Sequence, residues 1–223
     1  MSDLVGSQFF IDRRDAGERL LERLRHETLV DPVVLAIPRG GVAVGAVVAH
    51  GLGCELDVVL SRKLRAPHQP ELAVGAITEA GVVHMTRGLG EWAGVSEAYL
   101  EAERNRQLAE IERRRKMFRA IRPQASVAGR SVILVDDGIA TGSTMIAAIH
   151  TLRAAAAGEI FVAVPVAPPE RLDDIRSLCD KLVCLQAPLE FMAVGQFYER
   201  FDEVTDEEVC DLLRASLVHH VIP

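Results

Sequence analysis

Three short stretches carry side chains whose types and spacing could do chemistry. In ILVDDGIATGST, residues 133–144, an apolar run stops at Asp136 and Asp137 and a small-residue turn follows at once. That turn, Gly138, Ile139, Ala140, Thr141, Gly142, Ser143 and Thr144, is expected to leave backbone N–H groups open where a helix begins. Unpaired amides and the positive end of a helix dipole hold a phosphate, and the hydroxyls of Thr141 and Thr144 add donors. Two carboxylates beside such a cradle suit a ligand that also brings hydroxyls and a divalent cation. An ionised aspartate only accepts hydrogen bonds, and Mg2+ prefers oxygen ligands with retained waters. A ribose 5-phosphate fits this stretch better than a nucleotide polyphosphate would.

The second stretch is IPRGG, residues 37–41, again an apolar run closed by glycines. Arg39 offers a bidentate fork for a phosphate, and Gly40 and Gly41 let the backbone approach an anion closely. The third stretch follows LDVVLS, residues 56–61, and places Arg62, Lys63 and Arg65 just past the expected end of a strand.

The elements that would position these loops alternate along the chain. VVLAI, LDVVLS, SVILVDD, FVAVPVA and LVCLQ read as buried strands. GGVAVGAVVAHGLG, TGSTMIAAIHTLRAAAAG and the segment opened by Pro168 and Pro169 read as the helices between them. Asp15 with Glu18 reads as a capping box opening an earlier helix with Ala16, Leu20, Leu21 and Leu24 on its inner face. Thr205 with Glu208 reads as another opening the last helix. AVGAITEAGVVHM is expected to form a hairpin turning at Glu79 to Gly81. Continuous apolar strands alternating with helices predict an α/β fold, a doubly wound, mostly parallel five-stranded sheet with a small helical hood. Such sheets bind ligands beyond the carboxyl ends of their strands. We expect one domain over 1–223, with a core at about 33–186, a helical insertion at about 96–122 and a C-terminal hood and helix at about 187–223.

Composition excludes several classes. Lys and Arg number 25 against 32 Asp and Glu, a formal charge of −7, so no general field draws a nucleic acid. No apolar stretch is long enough to span a bilayer and the first residues lack a secretory layout, which predicts a cytoplasmic protein with no membrane partner. Cys54, Cys179, Cys184 and Cys210 show no CxxC spacing and the histidines no HExxH, so they point away from a protein-held transition metal.

VILVDDGIATGST resembles the hallmark of the type I phosphoribosyltransferases, an apolar strand, two acidic residues and a turn of the form xxTGxT. The similarity extends to IPRGG, which looks like the family's pyrophosphate loop, and to Arg62 and Lys63, which look like its basic pair; it spans about residues 33–186. The resemblance implies that Asp136 and Asp137 hold the ribose hydroxyls of phosphoribosyl pyrophosphate while residues 138–144 hold its 5-phosphate. Arg39, Gly40, Gly41 and Lys63 would face the diphosphate. Mg2+ would be held mainly through the substrate, with Asp136 and Asp137 in reach. The implied reaction is displacement of pyrophosphate by a nitrogenous base, with no covalent nucleophile.

Hypoxanthine-guanine members carry an aspartate where this chain has Ala140, so activation of the base by that carboxylate is not expected. Residues 66–77, where the family keeps a mobile loop, contain two prolines and could equally form a fixed connector. Phe191 and Tyr198 are candidates for stacking on the base, with packing against the last helix as the competing role. His68, Glu71 and Trp92 are uncommitted, and the run ERRRK, residues 112–116, reads as a solvated helix face. A non-catalytic regulator that binds phosphoribosyl pyrophosphate or a nucleotide is the alternative function, and assembly into a homo-oligomer stays open. A phosphorylation receiver lacks its acceptor aspartate in FVAVPVA, and GGVAVG lacks the GxGxxG spacing of a dehydrogenase.

Overall fold

The computed structural model describes residues 9–67, 69–85 and 95–218, without the side chains of Pro70, Glu71 and Val218. His68 and Trp92 therefore lie outside the described residues. In chain order the elements are α1 (Arg13–Leu24), β1 (Val33–Ala36), α2 (Gly40–Leu52), β2 (Glu55–Val58), β3 (Ser61–Ala66), β4 (Gln69–Thr78), β5 (Val83–Met85) and α3 (Glu97–Arg119). They continue with β6 (Ser131–Val135), α4 (Ser143–Ala154), β7 (Glu159–Val166), α5 (Pro169–Arg176), β8 (Lys181–Gln186), a 3-10 turn (Val194–Phe197) and α6 (Asp206–Val218).

The expected five-stranded sheet is present, parallel throughout, in the order β2-β1-β6-β7-β8. β1 and β6 are buried at every position because helices cover both faces. Alternate side chains of a strand point opposite ways. Val34 and Ala36 thus enter a core shared with Leu20 and Leu24 of α1, Val44 and Val48 of α2 and Leu213 of α6. Val33 and Leu35 enter the other, with Met145 and Ile149 of α4 and Ile175 of α5. After β1 the chain crosses to β2 on one side, and β6 later pairs on β1's other side. The carboxyl ends of β1 and β6 therefore flank the point where strand order reverses, where this class of sheet opens a crevice.

Several boundaries differ from the sequence reading. α1 is capped by Asp12, whose carboxylate accepts the amides of Arg14 and Asp15, while Asp15 reaches back to the amide of Ile11. Its inner face of Ala16, Leu20, Leu21 and Leu24 is as expected. The run LDVVLS does not form one strand. β2 stops at Val58, and from Ser61 the chain enters a separate antiparallel sheet of order β3-β4-β5, so Arg62, Lys63 and Arg65 sit on a strand rather than past the end of one. The physical reason is a change of period: after Ser61, Leu64 and Ala66 are buried while Arg65 is exposed, the alternation of a strand with one covered face. Residues 66–77 accordingly belong mostly to the β3–β4 pair, and the expected hairpin turn lies between β4 and β5 with Gly81 at φ +77°.

α3 is capped by Ser96 and matches the expected insertion. Its run 112–116 is half-buried or exposed, while Glu103, Gln107, Ile111 and Phe118 are buried. Its end is tied to the sheet by Asp57, fully buried on β2, which accepts from Arg119 at 2.6 Å and from the Ala125 amide at 2.8 Å. Burial of a carboxylate is tolerated when it is paired and hydrogen-bonded in this way. The Thr205–Glu208 capping box opens α6 as read, with both reciprocal bonds formed. No helix among the described residues is long and apolar enough to cross a membrane.

Candidate active site

β6 delivers Asp136 and Asp137 to the crevice, and Gly142, at φ +77°, turns the chain into α4. Few residues other than glycine adopt that left-handed conformation, and here it serves as the N-cap with no side chain capping the helix. Within the turn, the Thr141 hydroxyl is buried with no hydrogen-bond partner, a donor left for something that the protein does not supply. Ile139 contributes less than expected. Its side chain is part of the core and its amide donates to the Val166 carbonyl at 2.9 Å, so neither is available to a ligand.

The IPRGG turn lies directly against this loop. A Cβ added at Gly40 would stand 1.8 Å from Asp137 Oδ2, and one at Gly41 would stand 2.9 Å from the Cα of Asp136. Only a bare backbone fits there, which explains the glycine pair and brings the acidic and basic loops to one side of the sheet. Two adjoining clefts result. One, of about 340 Å³, is lined by Arg13, Asp136, Asp137, residues 138–142 and Phe201 among others; the second, of about 270 Å³, by Arg39, Gly40, Arg62, Arg65, Arg114 and Ser61 among others. Lys63, Asp136, Asp137 and Thr144 border both. Lys63 thus stands between the turn before α4 and a cationic recess.

The acids are strongly perturbed. Burial, and then the neighbouring Asp137 carboxylate, push Asp136 well above the usual carboxylate range. Burial also raises Asp137, against the lowering pull of Arg13, whose Nε lies 2.8 Å from Asp137 Oδ2. Arg13 is further fixed by the Asp202 carbonyl at 2.6 Å and by the Phe201 ring, 3.9 Å beneath its guanidinium carbon. No cluster of three or more His, Cys, Asp or Glu able to hold a metal exists among the described residues. Asp136 and Asp137 are the carboxylates that border the clefts. As hard oxygen donors they suit a Mg2+ ion that takes its other ligands from water and substrate. Burial pushes the thiols of Cys54 and Cys184 up to about 11, which leaves them unreactive.

Two basic residues are engaged elsewhere. Arg39 pairs with Glu203 at the approach to α6, and Arg62 donates to Gln107 of α3 at 2.6 Å. Both still line the cationic recess. The stacking expectation for Tyr198 is corrected. Only 6% exposed, its ring packs against Phe10 and Phe201 and its hydroxyl donates to the Asp137 carbonyl at 2.6 Å, so no face is open to a base. Phe191 packs on Phe197 in the same cluster. These aromatics cover the approach to α1 rather than α6, held by the Phe10–Phe197 and Glu199–Phe10 backbone bonds.

Sequence reasoning misses Arg13, Arg114 and Val194, all of which line the clefts. For Arg13 no local signal exists, because its partner is 124 residues away. For Arg114 there is one: Glu103, Gln107, Glu110 and Arg114 recur at helical spacing, a polar stripe on one face of α3.

A family model for the phosphoribosyl transferase domain matches residues 11–199. Two Mycobacterium tuberculosis proteins, from strains H37Rv and CDC 1551, are 41% identical over 206 residues, and their names assign them provisionally as phosphoribosyl transferases. The match covers 92% of this chain and 46% of theirs, so the chain spans about half the length of the curated relatives it matches. A crystal structure from Thermus thermophilus is similar with a TM-score of 0.79 at 43% identity, covering 93% of this chain and 98% of that one.

Proposed function

The chain belongs to the phosphoribosyl transferase family, and from that premise we propose that it transfers the 5-phosphoribosyl group of phosphoribosyl pyrophosphate to a nitrogenous base, purine or pyrimidine, and releases pyrophosphate. The observation that carries this reading is the meeting of the two loops. A glycine turn packs directly on an acidic pair, an uncapped helix start with an orphaned Thr141 hydroxyl follows that pair in the same loop, and Lys63 borders the clefts on both sides. A sugar phosphorylated at both ends matches that order of groups.

In this reading the turn from Gly138 to Thr144 holds the 5-phosphate, with the Thr141 hydroxyl and the first amides of α4 as donors. Asp136 and Asp137 accept the ribose hydroxyls and orient C1. Arg13 occupies one oxygen of Asp137 and so keeps part of the acid pair's charge neutralised. The diphosphate lies toward Arg39, Gly40, Gly41 and Lys63. The base nitrogen's electron pair forms the new bond at C1 as the bond from C1 to the diphosphate oxygen breaks, and charge grows on the departing group. Fixed cations and backbone amides aimed at that group lower the barrier, because they need no reorganisation when the charge appears. Mg2+, held mainly by diphosphate oxygens with Asp136 and Asp137 in reach, would neutralise further charge there. Ala140 supplies no carboxylate to the base, so proton removal from the acceptor is not assigned to that position.

The test is calorimetric titration of phosphoribosyl pyrophosphate with and without Mg2+, joined to pyrophosphate release across a panel of bases. The Asp136→Asn, Asp137→Asn double variant should lose Mg2+-dependent binding while its circular dichroism stays unchanged. Unaltered affinity in that variant would remove Asp136 and Asp137 from the site.

A further inference from the structure

α3 does more than fill the space between the two sheets. It lies along β3, the strand that carries Lys63. Three bonds set it there: Arg62 to Gln107 at 2.6 Å, the Arg65 amide to Glu103 at 3.3 Å, and the Tyr99 hydroxyl to the Arg65 carbonyl at 3.0 Å. Further along the same helix face are Glu110 and Arg114. The Arg114 side chain is only 12% exposed, and it borders the cationic recess beside Arg39, Gly40, Arg62 and Lys63. Its Nε faces Glu110 at 3.0 Å and Asp206, in the first turn of α6, at 3.3 Å. Its Nε is buried without a hydrogen-bond partner, and Glu110 and Asp206 are its ion-pair partners among the described residues. A nearly buried guanidinium with an N–H left unmet is costly unless an anionic oxygen completes it.

The charge around it points the same way. Five cationic side chains, Arg39, Arg62, Lys63, Arg65 and Arg114, line the recess. The neighbouring acids Glu110 and Asp206 are already shared with Arg113, which bonds to both. We infer that Arg114 is a diphosphate-binding residue, supplied by the helical insertion and aimed by Glu110 and Asp206, whose guanidinium takes the leaving pyrophosphate. The inference rests on the transferase reading for its substrate. The chemistry of the recess, a dianionic phosphate ester or anhydride on an arginine fork, stands on the geometry.

Three ligands separate the possibilities. Phosphoribosyl pyrophosphate carries both phosphate ends, ribose 5-phosphate lacks the diphosphate, and inorganic pyrophosphate lacks the sugar. Arg114→Met keeps the length of the side chain and removes its charge. It should weaken phosphoribosyl pyrophosphate and pyrophosphate by about 10- to 100-fold, the value of a charged hydrogen bond, and leave ribose 5-phosphate unchanged. Arg114→Lys, which keeps the charge without the fork, should fall between. Equal weakening of all three ligands, or a lowered melting temperature with no change in any affinity, would assign Arg114 to packing and overturn the inference. Wild-type protein that binds pyrophosphate but not phosphoribosyl pyrophosphate would defeat the transferase reading, and the Arg114→Met titration with pyrophosphate would still decide the role of Arg114. Wild-type protein that binds neither would defeat both.

Discussion

The two halves of the crevice are built in opposite ways. The half that the proposal gives to the 5-phosphate and ribose comes from one unbroken stretch, Asp136 to Thr144, in which a strand end, a turn and a helix start follow in order. The cationic recess takes Arg39 from the loop after β1, Lys63 from β3 and Arg114 from α3, positions separated by tens of residues. A contiguous cradle depends on local backbone geometry, and the ligand groups it offers are mostly amides. A recess assembled from afar depends on packing, and it uses long charged side chains that other acids can also claim. Arg39 and Arg62 illustrate that competition, one paired with Glu203 and the other with Glu110 at 3.9 Å.

The joint between the halves gives the harshest test. Gly40→Ala would drive a Cβ to 1.8 Å from Asp137 Oδ2, so the Asp137 carboxylate and its pairing with Arg13 must shift. Affinity for phosphoribosyl pyrophosphate should fall by about 100-fold or more, and overpacking should cost about 1–3 kcal/mol of stability. Titration and thermal melting read the two effects separately, and a variant that binds normally would show that the halves are not coupled there.

Lys63→Met is expected to weaken phosphoribosyl pyrophosphate by about 10- to 100-fold. Because Lys63 borders both clefts, ribose 5-phosphate should weaken as well, unlike in Arg114→Met. If only pyrophosphate were affected, Lys63 would belong wholly to the recess.

A smaller gain is expected from releasing Arg39. Glu203 is 75% exposed, so the pair contributes about 0–1 kcal/mol, and Glu203→Gln should tighten pyrophosphate binding by about 2- to 5-fold without changing the melting temperature by more than a few degrees. Weaker binding in that variant would mean that Glu203 positions Arg39 rather than competes for it.

The smallest effect concerns pH. Hydrogen bonding to Arg113, with Arg114 and Arg62 near, lowers Glu110 from 4.5 to about 2. A carboxylate depressed in the folded state binds fewer protons there than when unfolded, so its contribution is complete above pH 4.5 and is lost as pH falls toward 2. Solvent screening keeps the contribution modest, because the side chain is 30% exposed. Melting curves between those pH values should drop less steeply in Glu110→Gln than in wild type, and parallel slopes would show that the pair adds nothing.

Legibility follows the same division as construction. The strands, the α4 turn and the Thr205–Glu208 cap are readable because each is a pattern over a few neighbouring residues. The antiparallel β3 reads in sequence as the tail of β2, since the apolar run passes through Val59 and Leu60 without a break. Tyr198 looks open to a base because an aromatic in a tail gives no sign of what will cover it, and Phe10 does so from near the other end of the chain. Arg13 has no signature in its own neighbourhood, since the acid it meets lies at the far end of the sheet's third strand in sequence order.

From its residues alone this protein declares an α/β sheet and an acidic pair set before a small-residue turn and a helix start, because strand period, helix capping and glycine turns act over distances of one or two turns of chain. Which cations face the recess, which are tied to other side chains, and which aromatics close the hood were settled only when α1, α3 and α6 packed around the sheet. Those contacts join residues far apart in sequence, and their geometry follows from how apolar faces bury against one another rather than from any local preference.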